Sequence, residues 1–192
     1  ARVSHPRIPG TWGFGLWNDP FAIGALAGLK GFRAPKLPQA AWFFYSAPMG
    51  HLSLRDDLPG NGWLTSTFRS PTWSLFKLAL GLPLLPLLVI PGASRIIRAS
   101  ASSIIRQDAR SLSVDPTEWQ QYGMEWNPEQ CNFMVNSKTV LDTKISPIGP
   151  LGIVIWIDNQ YAAWAPDGKL RYGMCENRNP GWLEIRDLRI SS

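Results

Sequence analysis

Two short patterns in this chain pair residue types suited to a hydroxyl-rich ligand: Trp17-Asn18-Asp19 and Trp156-Ile157-Asp158. An indole offers a flat apolar face for stacking, and a carboxylate accepts hydrogen bonds from hydroxyls. In "GIVIWIDNQY", strand alternation puts Val154, Trp156 and Asp158 on one face and Ile153, Ile155 and Ile157 on the other. The isoleucine face reads as core, which leaves Trp156 and Asp158 on an outer, ligand-facing side. If both Trp-x-Asp strands share that side, the expected contacts are Trp17, Asp19, Trp156 and Asp158, joined by Trp126, Asn159 and Tyr161. Two carboxylates also raise acid/base chemistry, with Asp19 and Asp158 as the catalytic candidates. A retaining glycosidase needs its carboxyl groups about 5–5.5 Å apart, and one of them with a raised pKa. The alternative is structural: Asp158 and Asn159 end a strand and cap a turn.

Strands must hold these residues, and the sequence supplies them. Ten tryptophans, 17 prolines and 17 glycines in 192 residues suit short strands and frequent turns. "GTWGFGLWNDPF" reads as a strand with Trp12, Phe14 and Leu16 on one face and Gly13, Gly15, Trp17 and Asp19 on the other. Glycines facing out of a strand mark the close approach of a ligand or another backbone. "AIGALAGLKGFRAPKLPQ" reads as a loop and "AAWFFYSAP" as a strong strand; "HLSLRDDLPGNGWLTSTFRSP" reads as two short strands around a turn at Asp56–Gly62. From "RSLSVD" onward the strand pattern stays, through "QQYGMEW", "NFMVN", "TVLDT", "GIVIWID", "LRYGMC" and "WLEIRDLRI", with turn formers between. Regularly spaced short strands predict an all-β antiparallel sandwich. The length suits one domain over residues 1–192.

Residues 72–107 interrupt this pattern. "LFKLALGLPLLPLLVIP" is almost wholly apolar, but Lys77, Pro83, Pro86 and Pro91 break the run that a membrane-spanning helix needs. It reads as a buried insertion, or as a hydrophobic hairpin against a membrane, a lipid-like ligand or a protein partner. "SRIIRASASSIIR" reads as a short basic amphipathic helix, with Ile96, Ile97, Ile104 and Ile105 on one face and arginines elsewhere. The expected contact residues are Leu82, Leu84, Leu85, Leu87, Leu88, Ile96 and Ile97.

"YGMEWNPEQCNFMVNSKTVLD" resembles the strand–turn–strand of concanavalin A-like jelly rolls, above all glycoside hydrolase family 16. Tyr122, Glu125, Trp126 and Pro128 match its Tyr-x-x-Glu/Asp-Trp-x-Pro strand. Phe133 and Val135 match the next strand, and Asn136-Ser137 stands where the family has Asp-Gly. The resemblance covers the last 80 residues or so and implies a jelly roll whose first strands are missing. It does not extend to the family's Glu-x-Asp-x-x-Glu motif, and the strand expected to carry it, "AAWFFYSAP", holds no carboxylate.

Other classes are excluded or left open by residue type. The net charge of +5 is spread along the chain without a nucleic-acid-binding motif, which argues against a nucleic-acid partner. Two histidines, and Cys131 with Cys175, lack zinc-ligand spacing; the cysteines are compatible with one disulfide or two free thiols. No phosphate-binding glycine loop or nucleophile-elbow serine implies a cofactor or covalent chemistry. "ARVSH" reads as mid-strand and carries no leader pattern. The insertion favours an extracellular or membrane-associated placement. Three readings remain: a module binding a carbohydrate or other amphipathic ligand in an aromatic groove, an enzyme using Asp19 and Asp158, and a subunit anchored by its insertion to a membrane or partner.

Overall fold

The computed structural model describes residues 1–19, 36–73, 77 and 81–191, with the backbone alone for Leu82. Its strands are β1 (Arg2–Val3), β2 (Thr11–Trp17), β3 (Ala40–Ser46), β4 (Gly62–Arg69), β5 (Arg106–Ser111) and β6 (Tyr122–Trp126). They continue with β7 (Cys131–Val135), β8 (Lys138–Thr143), β9 (Gly152–Asp158), β10 (Gln160–Trp164), β11 (Leu170–Met174) and β12 (Leu183–Glu184). Between β4 and β5 lie a 3₁₀ helix, Leu82–Val89, and α1, Pro91–Ile104. The fold is an antiparallel β-sandwich carrying a helical insertion.

One sheet has five strands in the order β5-β4-β3-β2-β9, and a second has three, β6-β7-β8. β2 pairs over seven positions with β3 on one side and β9 on the other. Its aromatic alternation determines which residues turn inward. Trp12 and Phe14 join Ala41, Phe43 and Tyr45 of β3 and Trp63 of β4, against Cys131, Phe133, Val135 and Leu141 of the second sheet. Phe43 meets Phe133 edge-on at 5.4 Å, and Trp12 stacks on Trp63 at 4.2 Å. Such pairs add a little to the large area these rings bury. The cysteines are both free, with Cys131 in the core.

Several expectations change here. The loop expected over residues 22–39 falls mostly outside the described residues. "HLSLR" is not a strand; only His51 bridges another segment, at Ala163. Beyond the bond from Leu52 N–H to Gly60 O (2.9 Å), side chains hold its backbone: Leu54 N–H donates to Gln107 Oε1 (2.9 Å), and Arg98 Nη2 donates to Ser53 O (2.9 Å). β5 begins at Arg106, earlier than "RSLSVD", because pairing with β4 overrides the weak strand propensity of "RQDARS". β10 was not expected, and of "WLEIRDLRI" only Leu183–Glu184 is a strand.

The isoleucine face of β9 is the largest correction. Register puts Ile153, Ile155 and Ile157 opposite Leu16, Phe14 and Trp12, so they do lie on the core-facing side of the sheet. But β9 is the edge strand, and the second sheet does not reach it: the three are 49, 48 and 38% exposed.

Helix α1 meets the rest of the domain through its polar side. Ser94 and Arg98 face inward, while Ile96 is 70% exposed and Ile104 is exposed too. Ile97 is half-buried and Ile105 is buried. The inward arginine is fully engaged. Nε donates to Trp164 O (2.8 Å), Nη2 to Ser53 O, and Nη1 to the Asp56 carboxylate. Trp164 Nε1 donates to Ser94 Oγ (2.9 Å). Polar contacts thus orient the helix and turn part of its apolar side outward. Among the described residues, no helix is long and apolar enough to cross a membrane.

Candidate functional site

The side of the five-stranded sheet facing away from the second sheet carries a connected set of aromatic rings. Alternation along β3 puts Trp42 and Phe44 there, opposite in direction to Phe43 and Tyr45. Trp42 lies 5.7 Å from Trp17, 5.6 Å from Trp156 and 5.8 Å from Phe44. Phe44 stacks on Trp156 at 5.7 Å, and Phe68 meets Trp42 edge-on at 6.0 Å. Phe44 and Phe68 are buried, whereas Trp17, Trp42 and Trp156 are half-buried. Trp17 and Trp42 also pack with Leu37 and Leu54 against a second small core of Ala40, Phe68 and Ile105, so the indoles show only part of their rings to solvent.

The outward glycines of β2 make this arrangement possible. A Cβ on Gly13 would stand 2.6 Å from the six-membered ring of Trp156 and 2.4 Å from Phe43 O. What approaches Gly13 is the indole of the neighbouring strand, lying across β2. Its Nε1 donates to Thr11 Oγ1 (3.1 Å), and the Thr11 hydroxyl donates to Asp158 Oδ1 (3.0 Å). Asp158 Oδ1 also accepts from Gln160 N–H (2.9 Å), so this aspartate caps the β9–β10 junction. All these bonds fall on Oδ1; Oδ2 accepts from none of the described residues. The carboxylate thus has a structural role and still presents an acceptor oxygen beside a fixed indole.

The expected site residues separate into groups. Trp17 and Trp156 are brought together through Trp42, which was not singled out in the sequence. Its signal was present: alternation through four consecutive aromatics sends two to each face. Asp19 and Asp158 are not brought together. Asp158 pairs with Thr11 and Gly152 with Trp17, so the two aspartates sit at opposite ends of the β2–β9 ladder. Six strand positions span about 20 Å, several times the carboxyl separation of a retaining glycosidase. Trp126 belongs to the other sheet, where its Nε1 donates to Pro147 O (3.0 Å). Asn159 donates to Cys175 O (3.1 Å), and the Tyr161 ring lies over Gly173; both serve the β10–β11 hairpin.

The expected groove is shallow. A cleft lined by Trp42, Phe44, Leu52, Pro59, Phe68 and Gln107 has room for about one water molecule. A ligand on this side would lie across the rings rather than enter a pocket. His51 has its pKa lowered first by burial and then by the Arg98 charge. Its Nε2 is buried without a hydrogen-bond partner, and Gly60 packs against its ring. Among the described residues, no three His, Cys, Asp or Glu side chains stand close enough together to hold a metal ion. Comparison of the chain with family models, with curated proteins and with solved structures finds no match.

Proposed function

We propose that this domain is a non-catalytic binding module that holds a carbohydrate chain, or another flat-faced amphipathic ligand, across Trp17, Trp42 and Trp156. One observation carries the reading: three half-buried indoles lie in a row on the outward side of the sheet, Trp42 touching both Trp17 and Trp156, with the Asp158 carboxylate at the Trp156 end. Stacking supplies apolar contact with a sugar face, and the carboxylate supplies an acceptor for a hydroxyl. The resemblance of residues 122–142 to concanavalin A-like jelly rolls points the same way, since the family it resembles acts on glycans. The separation of Asp19 from Asp158 favours holding over cleaving.

The test is incubation of the protein with a glycan panel, reading retention and newly released reducing ends together. Retention without release is expected. Trp156→Ala should weaken retention by roughly ten-fold, the scale of one lost aromatic stack. Trp156→Phe keeps a ring but loses the Thr11 bond, and should fall between the two. Circular dichroism confirms that each variant is folded. Release of reducing ends that disappears in Asp158→Asn would replace this reading with an enzymatic one, and failure to retain any glycan would remove it.

A further inference from the structure

The C-terminal end of the insertion meets the aromatic face through Ile105 and Gln107, but its apolar 3₁₀ segment takes no part there among the described contacts. From the 3₁₀ helix into α1, six aliphatic side chains stand exposed: Leu84, Leu85, Leu87, Val89, Ile90 and Ile96, with Val89 reaching 83%. Leu88 and Ile97 are half-buried behind them. Scattered single apolar residues are normal on a protein surface, but a continuous run of this kind marks an interaction site. We propose that this ridge docks the domain on an anionic membrane surface, with its leucines, Val89 and Ile90 in the headgroup–acyl boundary.

Three features choose lipid over a protein strand or helix. First, the backbone is internally satisfied. Leu84 N–H donates to Gly81 O (3.0 Å), Ile90 N–H donates to Leu87 O (3.1 Å), and Pro83 and Pro86 have no N–H to satisfy. Backbone entering an apolar phase must meet that condition, whereas a strand-pairing edge would leave its groups open. Second, the charge is one-sided. Residues 70–107 contain Lys77, Arg95, Arg98 and Arg106 and no Asp or Glu. Arg98 is taken up by Asp56, which leaves Arg95 exposed next to Ile96, with Lys77 and Arg106 exposed on the segments that flank the ridge in sequence, to meet anionic headgroups. Third, the orientation of α1 is fixed from behind. The Arg98 contacts and the Trp164–Ser94 bond hold its polar side to the protein and keep Ile96 outward. An aliphatic ridge with a cationic rim, lying in the plane of the interface, is the pattern of a peripheral membrane anchor.

The experiment is co-sedimentation of the full chain with vesicles of phosphatidylcholine, with and without phosphatidylserine. Binding is expected to the mixed vesicles, much less to phosphatidylcholine alone, and to weaken as salt is raised. Leu85→Asp with Val89→Asp should reduce it by roughly ten-fold or more. Arg95→Gln with Arg106→Gln should reduce it about five-fold per charge. Both pairs are solvent-facing, so unchanged thermal melts are expected to accompany the loss. Absence of sedimentation with either vesicle, or aspartate variants that bind like the wild type, would overturn the proposal. So would an oligomer in solution, dispersed by the aspartate pair, that leaves vesicles untouched: the ridge would then be a protein contact. None of these outcomes bears on the aromatic face.

Discussion

At the scale of single residues, the sequence spoke most clearly about turns. Asn136-Ser137 closes the β7–β8 hairpin with both residues at positive φ, 50° and 63°. A two-residue hairpin turn of this kind takes Asn readily at its first position and prefers Gly at its second. Ser137 is exposed and pays for a left-handed conformation that glycine adopts freely. Ser137→Gly should therefore stabilise the domain by about 1 kcal/mol, raising Tm by about 2–4 °C in a melting experiment. A second residue-scale effect comes from His51. Its folded pKa lies below its ordinary value of 6.5, so the unfolded chain binds the proton more tightly. Stability owed to His51 is present above about pH 6.5 and falls as the pH drops toward its folded pKa. Urea midpoints measured from pH 8 to pH 5 should show this decline, and His51→Gln should reduce it. The lowered carboxylates of Asp57, Asp115 and Asp167 act in a separate, more acidic window, since their stability is lost only as they protonate below about pH 4.

At the scale of elements, sequence reading succeeded where one residue type and one period dominated and failed where side chains replaced the ladder. β2, β3, β6, β7, β8 and β9 are aromatic or β-branched with turns at both ends, and all were legible. β5 is "RQDARS", which no propensity favours, and only its partner β4 makes it a strand. Helix α1 shows the same limit. Its isoleucine spacing gathers the apolar residues on one side without saying which way that side turns; a buried guanidinium with two carbonyl acceptors sets the rotation. Arg98→Met should cost about 3 kcal/mol, near 10 °C in Tm, because Ser53 O and Trp164 O lose their donor in a buried place. Asp56→Asn should cost under about 1 kcal/mol, since that carboxylate is 65% exposed. Equal losses from the two variants, seen by thermal melting, would show that the ion pair and not the carbonyls fixes the helix. The β9 edge makes another element-scale prediction. It exposes three isoleucines with no bulge, proline or lysine to protect them. Ile155→Lys should change stability by no more than about 0.5 kcal/mol while lowering self-association measured by light scattering at high concentration.

At the scale of the whole molecule, the sandwich was legible because its strands and turns recur regularly, and the site only in part. Alternation turned Trp17 and Trp156 away from the core between the two sheets, but it says nothing about which end of a ladder a residue occupies. Antiparallel register, invisible in one sequence, parted Asp19 from Asp158 and placed Trp42 between the two tryptophans. Trp126 was separated from them for a related reason: it lies on a different sheet, and a shared residue type does not make a shared site. The molecule that results has two separate outward features, an aromatic row on the five-stranded sheet and an aliphatic ridge on the insertion. The central claim, that a ligand lies across the aromatic row, is tested most directly by the indole N–H signals of the ten tryptophans in a ¹H–¹⁵N spectrum. During titration with a glycan that the protein retains, the account predicts shifts at Trp17, Trp42 and Trp156, with the core pair Trp12 and Trp63 and the distant Trp126 unmoved. Shifts centred on Trp126, or on tryptophans outside the row with Trp42 and Trp156 unchanged, would contradict it.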